Sequence, residues 1–146
     1  MISVRHASIE DLASVAYLFD LYRQFYNQPH DKSGAEQFIR ERMEQKESEI
    51  LVALSEGEII GFVQLYPIFS SVSMRRAWLL NDLYVGESYR SRGVATLLLD
   101  AAKQVARDTK SKWLLLQTGE SNATAQALYI KNGWVRETDL FFRFDI

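Results

Sequence analysis

Two groups of residues in this chain have types and spacing that could do chemistry. The first is Arg90-Ser91-Arg92-Gly93-Val94-Ala95-Thr96. From Val94 onward apolar residues fall at Val94, Leu97, Leu98, Ala101, Ala102 and Val105, the spacing of an amphipathic helix. A helix start leaves backbone N–H groups without partners and carries about half a positive charge. Gly93 and Ala95 keep the approach to that backbone clear, Arg90 and Arg92 add charge, and Thr96 offers a hydroxyl. The stretch reads as a phosphate cradle, better used by two adjacent phosphates than by one. It fits neither G-x-x-x-x-G-K-[ST] nor G-x-G-x-x-G. A solvated loop with Ser91 as N-cap is the plainer reading of the same residues. The second group is Asn81-Asp82, a polar pair interrupting the otherwise apolar run from Leu79 to Val85.

The composition narrows what these groups can serve. A chain of 146 residues suits one domain with a sizeable core. A net charge of -2 gives no basic face for nucleic acid. No apolar run approaches a membrane span, and the N-terminus shows no signal-peptide pattern, so cytoplasmic residence is the expectation. The absence of cysteine excludes disulfides, a cysteine nucleophile and thiolate metal sites. Two histidines, His6 and His30, are too few for a histidine-rich metal centre, and none is expected.

The positioning elements follow from periodicity and turn residues. Ile2 to Ala7 alternates as a first strand. Ser8-Ile9-Glu10-Asp11 resembles a capping box before a helix whose inner stripe is Leu12, Val15, Ala16, Phe19 and Tyr22. Ser33-Gly34-Ala35-Glu36 reads as a second capping box, with Phe38, Ile39 and Met43 inward. Glu49 to Leu54 and Ile59 to Tyr66 form a hairpin about Glu56-Gly57. Gly61 hints at a bulge or a close backbone approach. Pro67 to Arg75 reads as a loop, Arg76 to Val85 as the fourth strand. Lys112 to Thr118 is apolar enough for a strand buried on both faces. Asn122 to Lys131 is a helix with a C-cap at Asn132-Gly133. Trp134 to Glu137 and Leu140 to Asp145 read as two last strands around Thr138-Asp139. The order β-α-α-β-β-β-α-β-α-β-β predicts an α/β fold, a mixed sheet in a three-layer sandwich, as one domain over residues 1–146.

These residues resemble the GNAT superfamily of N-acetyltransferases. Arg90-x-x-Gly93-x-Ala95 is similar to that family's pyrophosphate motif at the start of the same helix. Leu83-Tyr84-Val85 stands where the family has its bulged fourth strand. Asn122-Ala123-x-Ala125-x-x-Leu128-Tyr129-x-x-x-Gly133-Trp134 resembles its last motif. Gly86-Glu87 departs from the proline that many members carry. The resemblance implies acetyl-CoA as donor, with Arg90, Ser91, Arg92, Gly93, Val94, Ala95 and Thr96 holding the pyrophosphate. It implies splayed fourth and fifth strands, with the pantetheine arm along Leu83, Tyr84 and Val85, and Asn122 holding the arm. A plain N-cap is the other reading of Asn122.

The implied reaction is attack by an amine on a thioester, and without cysteine the transfer is direct. Tyr129 matches the family's general-acid tyrosine, against the alternative of a core aromatic. An alkyl amine with pKa near 10.4 is neutral about once in 2500 molecules at pH 7, a cost of about 4.6 kcal/mol. Related polyamine acetyltransferases carry Glu-Asp where this chain has Asn81-Asp82, so Asp82 could hold a cationic acceptor or relay its proton through water. A structural carboxylate is the alternative. Simple alternation places Asp82 on one face with Leu80 and Tyr84. The implied acceptor cleft draws on Tyr22, Phe25, Tyr26, Asp31, Phe69, Ser70, Ser71, Asn81 and Asp82; aromatics with carboxylates suit a small amine. Acetylation of a protein N-terminus or lysine, and an acetyl-CoA-binding sensor without turnover, remain open. The aromatic strand Leu140 to Phe144 could be covered by a partner in a homodimer.

Overall fold

A computed structural model describes residues 1–146. Five strands form one sheet in the order β1 (Ile2–His6), β2 (Glu49–Ser55), β3 (Glu58–Ser70), β4 (Arg75–Val85) and β5 (Leu114–Leu116). The first four are antiparallel neighbours, and β5 runs parallel to β4. Helices α1 (Leu12–Phe25) and α2 (Lys32–Glu44) cover one face, and α3 (Val94–Asp108) covers the other, with α4 (Ala123–Lys131) beside it. Each face has its own core. Val15, Phe19 and Ile39 meet Ile50, Val52 and Phe62 on the first, and Leu98, Leu99 and Ala102 meet Leu51, Val63 and Leu65 on the second. The alternation along β2 sorts its side chains between the two, making the three layers expected of the sequence. No helix is long and apolar enough to cross a membrane.

Several boundaries differ from the sequence expectation. The cap of α2 is Asp31 rather than Ser33: its carboxylate accepts from Gly34 N–H at 2.9 Å, while its own N–H is held by Asp20. Strand β3 runs past Pro67 to Ser70, where a loop was expected. Leu65 is the last β3 residue paired to β2, so Pro67 lies where that edge asks for no N–H donor. On α3, Leu99 and Ala106 are buried and Leu97 faces solvent, a small rotation from the expected stripe.

The last two expected strands do not form. Beyond Trp134 the chain has no regular secondary structure, and residues 135–146 are exposed. A two-residue hairpin needs positive φ at its central positions. Neither Thr138 nor Asp139 adopts it, and β-branched Thr138 resists it. In consequence β5 is three residues long, at the sheet edge and half-buried, rather than buried on both faces from Lys112 to Thr118.

The feature that shapes the site is in β4. Gln64 pairs with Asp82 and Leu65 with Leu80, so Asn81 is one residue more than its partner strand supplies. Such a bulge bends the strand and shifts its alternation. Leu80 packs in the α3-side core with Leu83 and Val85, while Asp82 and Tyr84 face α1. Asp82 therefore does not share a face with Leu80, as unbroken alternation predicts; the extra residue between them reverses the phase.

Candidate active site

Pairing between β4 and β5 stops at Leu80 and Leu116, while β4 continues to Val85. The edge of β4 from Asn81 to Val85 is thus open, and a cavity of about 590 Å³ occupies the gap. That volume suits a small-molecule site. Its walls are Leu80, Leu83, Tyr84 and Val85 from β4, Leu116 at the end of β5 with Gln117 and Thr118 after it, the start of α3, and the α4 N-cap Asn122 with Tyr129. Tyr22, Phe25 and Tyr26 close it from α1. A larger space of about 860 Å³ lies on the other side of β5, under the C-terminal segment. It reaches Tyr129 but not the start of α3, so only the smaller one brings the two together.

The start of α3 is bare. Gly93 is its N-cap, at φ 78°, and no side chain caps it. Ser91, the expected alternative cap, sits at φ 61° and does not bond the helix. The first-turn amides therefore have no side-chain partner and border the cavity through Gly93, Val94, Ala95 and Thr96. An anion is the ligand such an end favours. Arg90 borders the cavity too, but its Nε donates to the Val85 carbonyl at 3.0 Å and its guanidinium lies 5.3 Å from the Tyr84 ring centre. Arg92 stacks on Tyr89 outside the lining. The open edge of β4 and the bare amides together fit the extended arm and diphosphate of a coenzyme A thioester. Val85 would offer such an arm a carbonyl that Arg90 already engages.

Helix α4 contributes side chains. Asn122 caps it, Oδ1 accepting from Ala125 N–H at 3.1 Å, which leaves the amide NH2 as the group it can present. Asn122 is thus an N-cap that also lines the cavity. The Tyr129 hydroxyl makes no hydrogen bond within the protein. Partial burial, and then the neighbouring Tyr26, raise its pKa, so the phenol holds its proton at neutral pH. A phenol in that state can donate to a developing anion.

The polar pair of β4 behaves differently from expectation. Asn81 is exposed and lines the cavity, whereas Asp82 is 2% exposed and lies behind it. The Asp82 carboxylate accepts from Asn81 Nδ2 at 2.8 Å and from Gln64 Nε2. Burial raises its pKa; the hydrogen bonds from Gln64 and Asn81, and then the nearby Tyr22 phenol, oppose that rise without cancelling it. Tyr22 donates to the Asn81 carbonyl at 3.1 Å, and burial followed by the Asp82 charge pushes its phenol far above the ordinary range. Phe69, Ser70, Ser71 and Asp31 do not line the cavity. Phe69 stands exposed and stacks with Arg76 on the distal end of the hairpin. His30 is tied to the buried Asp20, and His6 to Glu49, neither at the cavity. No cluster of three or more His, Cys, Asp or Glu is placed to ligate a metal.

Sequence reasoning missed Gln64, fully buried in an apolar strand, and Gln117 and Thr118 at the mouth of the splay. A lone glutamine between Val63 and Leu65 was the one available signal for the first.

Comparison with known proteins agrees with this geometry. The family model described as "Acetyltransferase (GNAT) family" matches residues 15–134. An uncharacterised N-acetyltransferase of Bacillus subtilis, YhfO, is 48% identical over 93% of this chain and 91% of its own. The crystal structure of a probable acetyltransferase is 38% identical, covers 99% of this chain and 96% of its own, and superposes with a TM-score of 0.91. An aminoglycoside acetyltransferase from an uncultured soil metagenomic sample, solved with trehalose, shares the fold at 17% identity and a TM-score of 0.86 over 99% of this chain and 96% of its own. A cavity between splayed strands, a bare helix start and a free phenol thus stand in a chain that belongs to the GNAT acetyltransferase family, whose members transfer an acyl group from coenzyme A.

Proposed function

We propose that this enzyme acetylates the primary amine of a small cationic molecule such as a polyamine, amino sugar or amino acid, directly from acetyl-CoA. The observation that carries the reading is the aromatic wall beside Asn81 and Asp82. Tyr22 and Tyr26 lie 5.1 Å apart edge to face, Phe25 is 5.2 Å from Tyr26, and Tyr84 is 6.5 Å from Tyr22. Such rings attract a cation, and the Asn81 carbonyl and the buried carboxylate behind it reinforce that preference.

In this reading the amides of Gly93 to Thr96 hold the pyrophosphate, with Ser91 and Arg90 at its edge and Arg92 adding only a distant charge. The open edge at Leu83, Tyr84 and Val85 aligns the pantetheine arm, and the NH2 of Asn122 steadies it. The amine nitrogen bonds to the thioester carbon, and the C–S bond breaks. Tyr129 gives its proton to the leaving sulfur and is reprotonated, through water, by the second proton that the nitrogen sheds as the amide forms. The proton lost by the ammonium passes through Asn81-bound water toward Asp82. A backbone N–H near Val85 stabilises the developing oxyanion. Cytoplasmic residence and pairing with a second copy accompany this reading.

The test is turnover of acetyl-CoA with a panel of amines, followed by release of free thiol. The protein has no cysteine to give a background. Turnover with small di- or polycationic amines supports the proposal. Turnover confined to peptides assigns the cavity to a protein terminus or lysine instead. Acetyl-CoA binding with no turnover on either panel leaves the sensor reading standing.

A further inference from the structure

The fully buried Gln64 is outside the family-derived site, yet it touches the one buried carboxylate beside the acceptor wall. Its side chain is fixed at both ends. Nε2 donates to Asp82 Oδ2, and Oε1 accepts from Ser48 Oγ at 2.8 Å. An amide can be turned end for end in such a site, and the two orientations favour opposite states of the carboxyl. The NH2 end stabilises an ionised carboxylate; the oxygen end stabilises a protonated one by accepting its proton. The ionised carboxylate, which only accepts, takes the NH2 end, and Ser48 then donates to the oxygen and anchors the amide in the first orientation.

The position has a backbone cause. Gln64 is the residue directly opposite Asp82 where Asn81 is extruded, so the bulge turns Asp82 inward onto it. No Lys, Arg or His pairs with Asp82. The titratable groups that face it are Tyr22 from α1 and Tyr66 from β3, and Arg42 and Glu47 act on Tyr66 from behind. Both phenols are shifted upward by burial and by the Asp82 charge itself, Tyr66 to about 12, so they remain neutral across the working range. The donors that hold Asp82 in its ionisable state are therefore Gln64 and Asn81, and only Gln64 is anchored by the side chain of a further residue.

We propose that Gln64 is a positioning residue for Asp82: its amide, anchored at the oxygen end by Ser48, keeps its NH2 end on the carboxylate and so keeps Asp82 ionised and able to accept a proton. Neither residue touches substrate. The proposal rests on the reading of Asp82 as the group that receives the acceptor's proton, and it can fail separately from that reading.

The direct test needs no acceptor. Protein labelled with ¹³C at the aspartate side chains is titrated by NMR, and Asp82→Asn identifies the Asp82 carboxyl signal. In Gln64→Met, close in shape but without donor or acceptor, the Asp82 midpoint moves up by at least one pH unit. In Ser48→Ala it moves the same way by a few tenths. The activity readout runs alongside: the acidic limb of the kcat profile shifts upward with the midpoint, while the Kd for acetyl-CoA stays within twofold. Should Gln64→Met fail to fold, as judged by circular dichroism, the Ser48→Ala midpoint decides, since Ser48 is only partly buried. An unmoved midpoint in the deciding variant overturns the proposal. Inactive Asp82→Asn with that unmoved midpoint sinks the role of Gln64 alone; fully active Asp82→Asn removes the role of Asp82 and this proposal with it.

Discussion

The starts of α3 and α4 both face the cavity, yet they are built on opposite principles. Helix α4 is closed by its own Asn122, as α2 is closed by Asp31. Helix α3 has a glycine where the others have an Asx residue, and nothing in the protein closes it. A capped start is a structural end, worth about 1 kcal/mol to the fold. A bare start gives up that contribution and leaves its amides for a ligand. Helix α3 thus brings backbone to the site, whereas α4 brings side chains, and the two should fail differently when altered.

The sharpest break should come on α4. Tyr129→Phe is expected to lower kcat by about a hundredfold or more, the usual worth of a general acid, with acetyl-CoA affinity within twofold by calorimetry. Equal activity of the two forms would return Tyr129 to the role of a core aromatic. On α3 the loss should fall on binding. Gly93→Asp supplies the missing cap and a like charge for phosphate, at a φ of 78° that aspartate tolerates better than most residues. Its Kd for acetyl-CoA should rise by about fiftyfold, a shift of about 2.3 kcal/mol. An unchanged Kd would place the pyrophosphate elsewhere.

Asn122→Ala should do both, costing about 1 kcal/mol of stability through its cap and weakening acetyl-CoA severalfold. Asp31→Ala is the control, with the same loss of stability by denaturant titration and no change in acetyl-CoA affinity. The smallest effect belongs to the first helix. A hydrogen bond from Arg5 is the chief reason the Asp11 carboxyl is held down at about 2. Its folded value lies below its unfolded one, so the stabilisation is present above about pH 4 and is lost as pH falls toward 2. Arg5 is half exposed, so solvent screening leaves the Asp11 contribution at about 1 kcal/mol. Arg5→Gln should remove it at pH 7 and converge with the parent protein near pH 2 in urea titrations.

The same contrast explains what could be read from sequence. The α3 start was legible because glycine and alanine beside arginines form a pattern of missing side chains. The role implied for Tyr129 came only through resemblance, since one tyrosine on an amphipathic helix carries no mark of its task. The hairpin at Glu56-Gly57 was visible because glycine meets a demand for positive φ, and both residues adopt it. Asn81 as an extra residue was not visible: a bulge changes the count between two strands, and each strand alone looks regular. That is why Asp82 was assigned to the wrong face and Gln64 was missed. Alternation from Leu140 to Phe144 suggested a strand, but a strand needs a partner edge, and local pattern cannot supply one.

The extra residue in β4 also sets a parity. Before Asn81 the even-numbered side chains, Trp78 and Leu80, point into the α3-side core; after it the odd-numbered ones, Leu83 and Val85, do so. Substitutions within β4 leave this count intact, so the strand can vary in chemistry while the site keeps its frame. Deleting Asn81 would restore one-to-one pairing with β3, leaving Leu83 and Val85 on the α3 side and Tyr84 toward α1, but without the bend that the extra residue imposes. The surplus residue thus shapes the open edge of β4 without deciding which side chains enter either core.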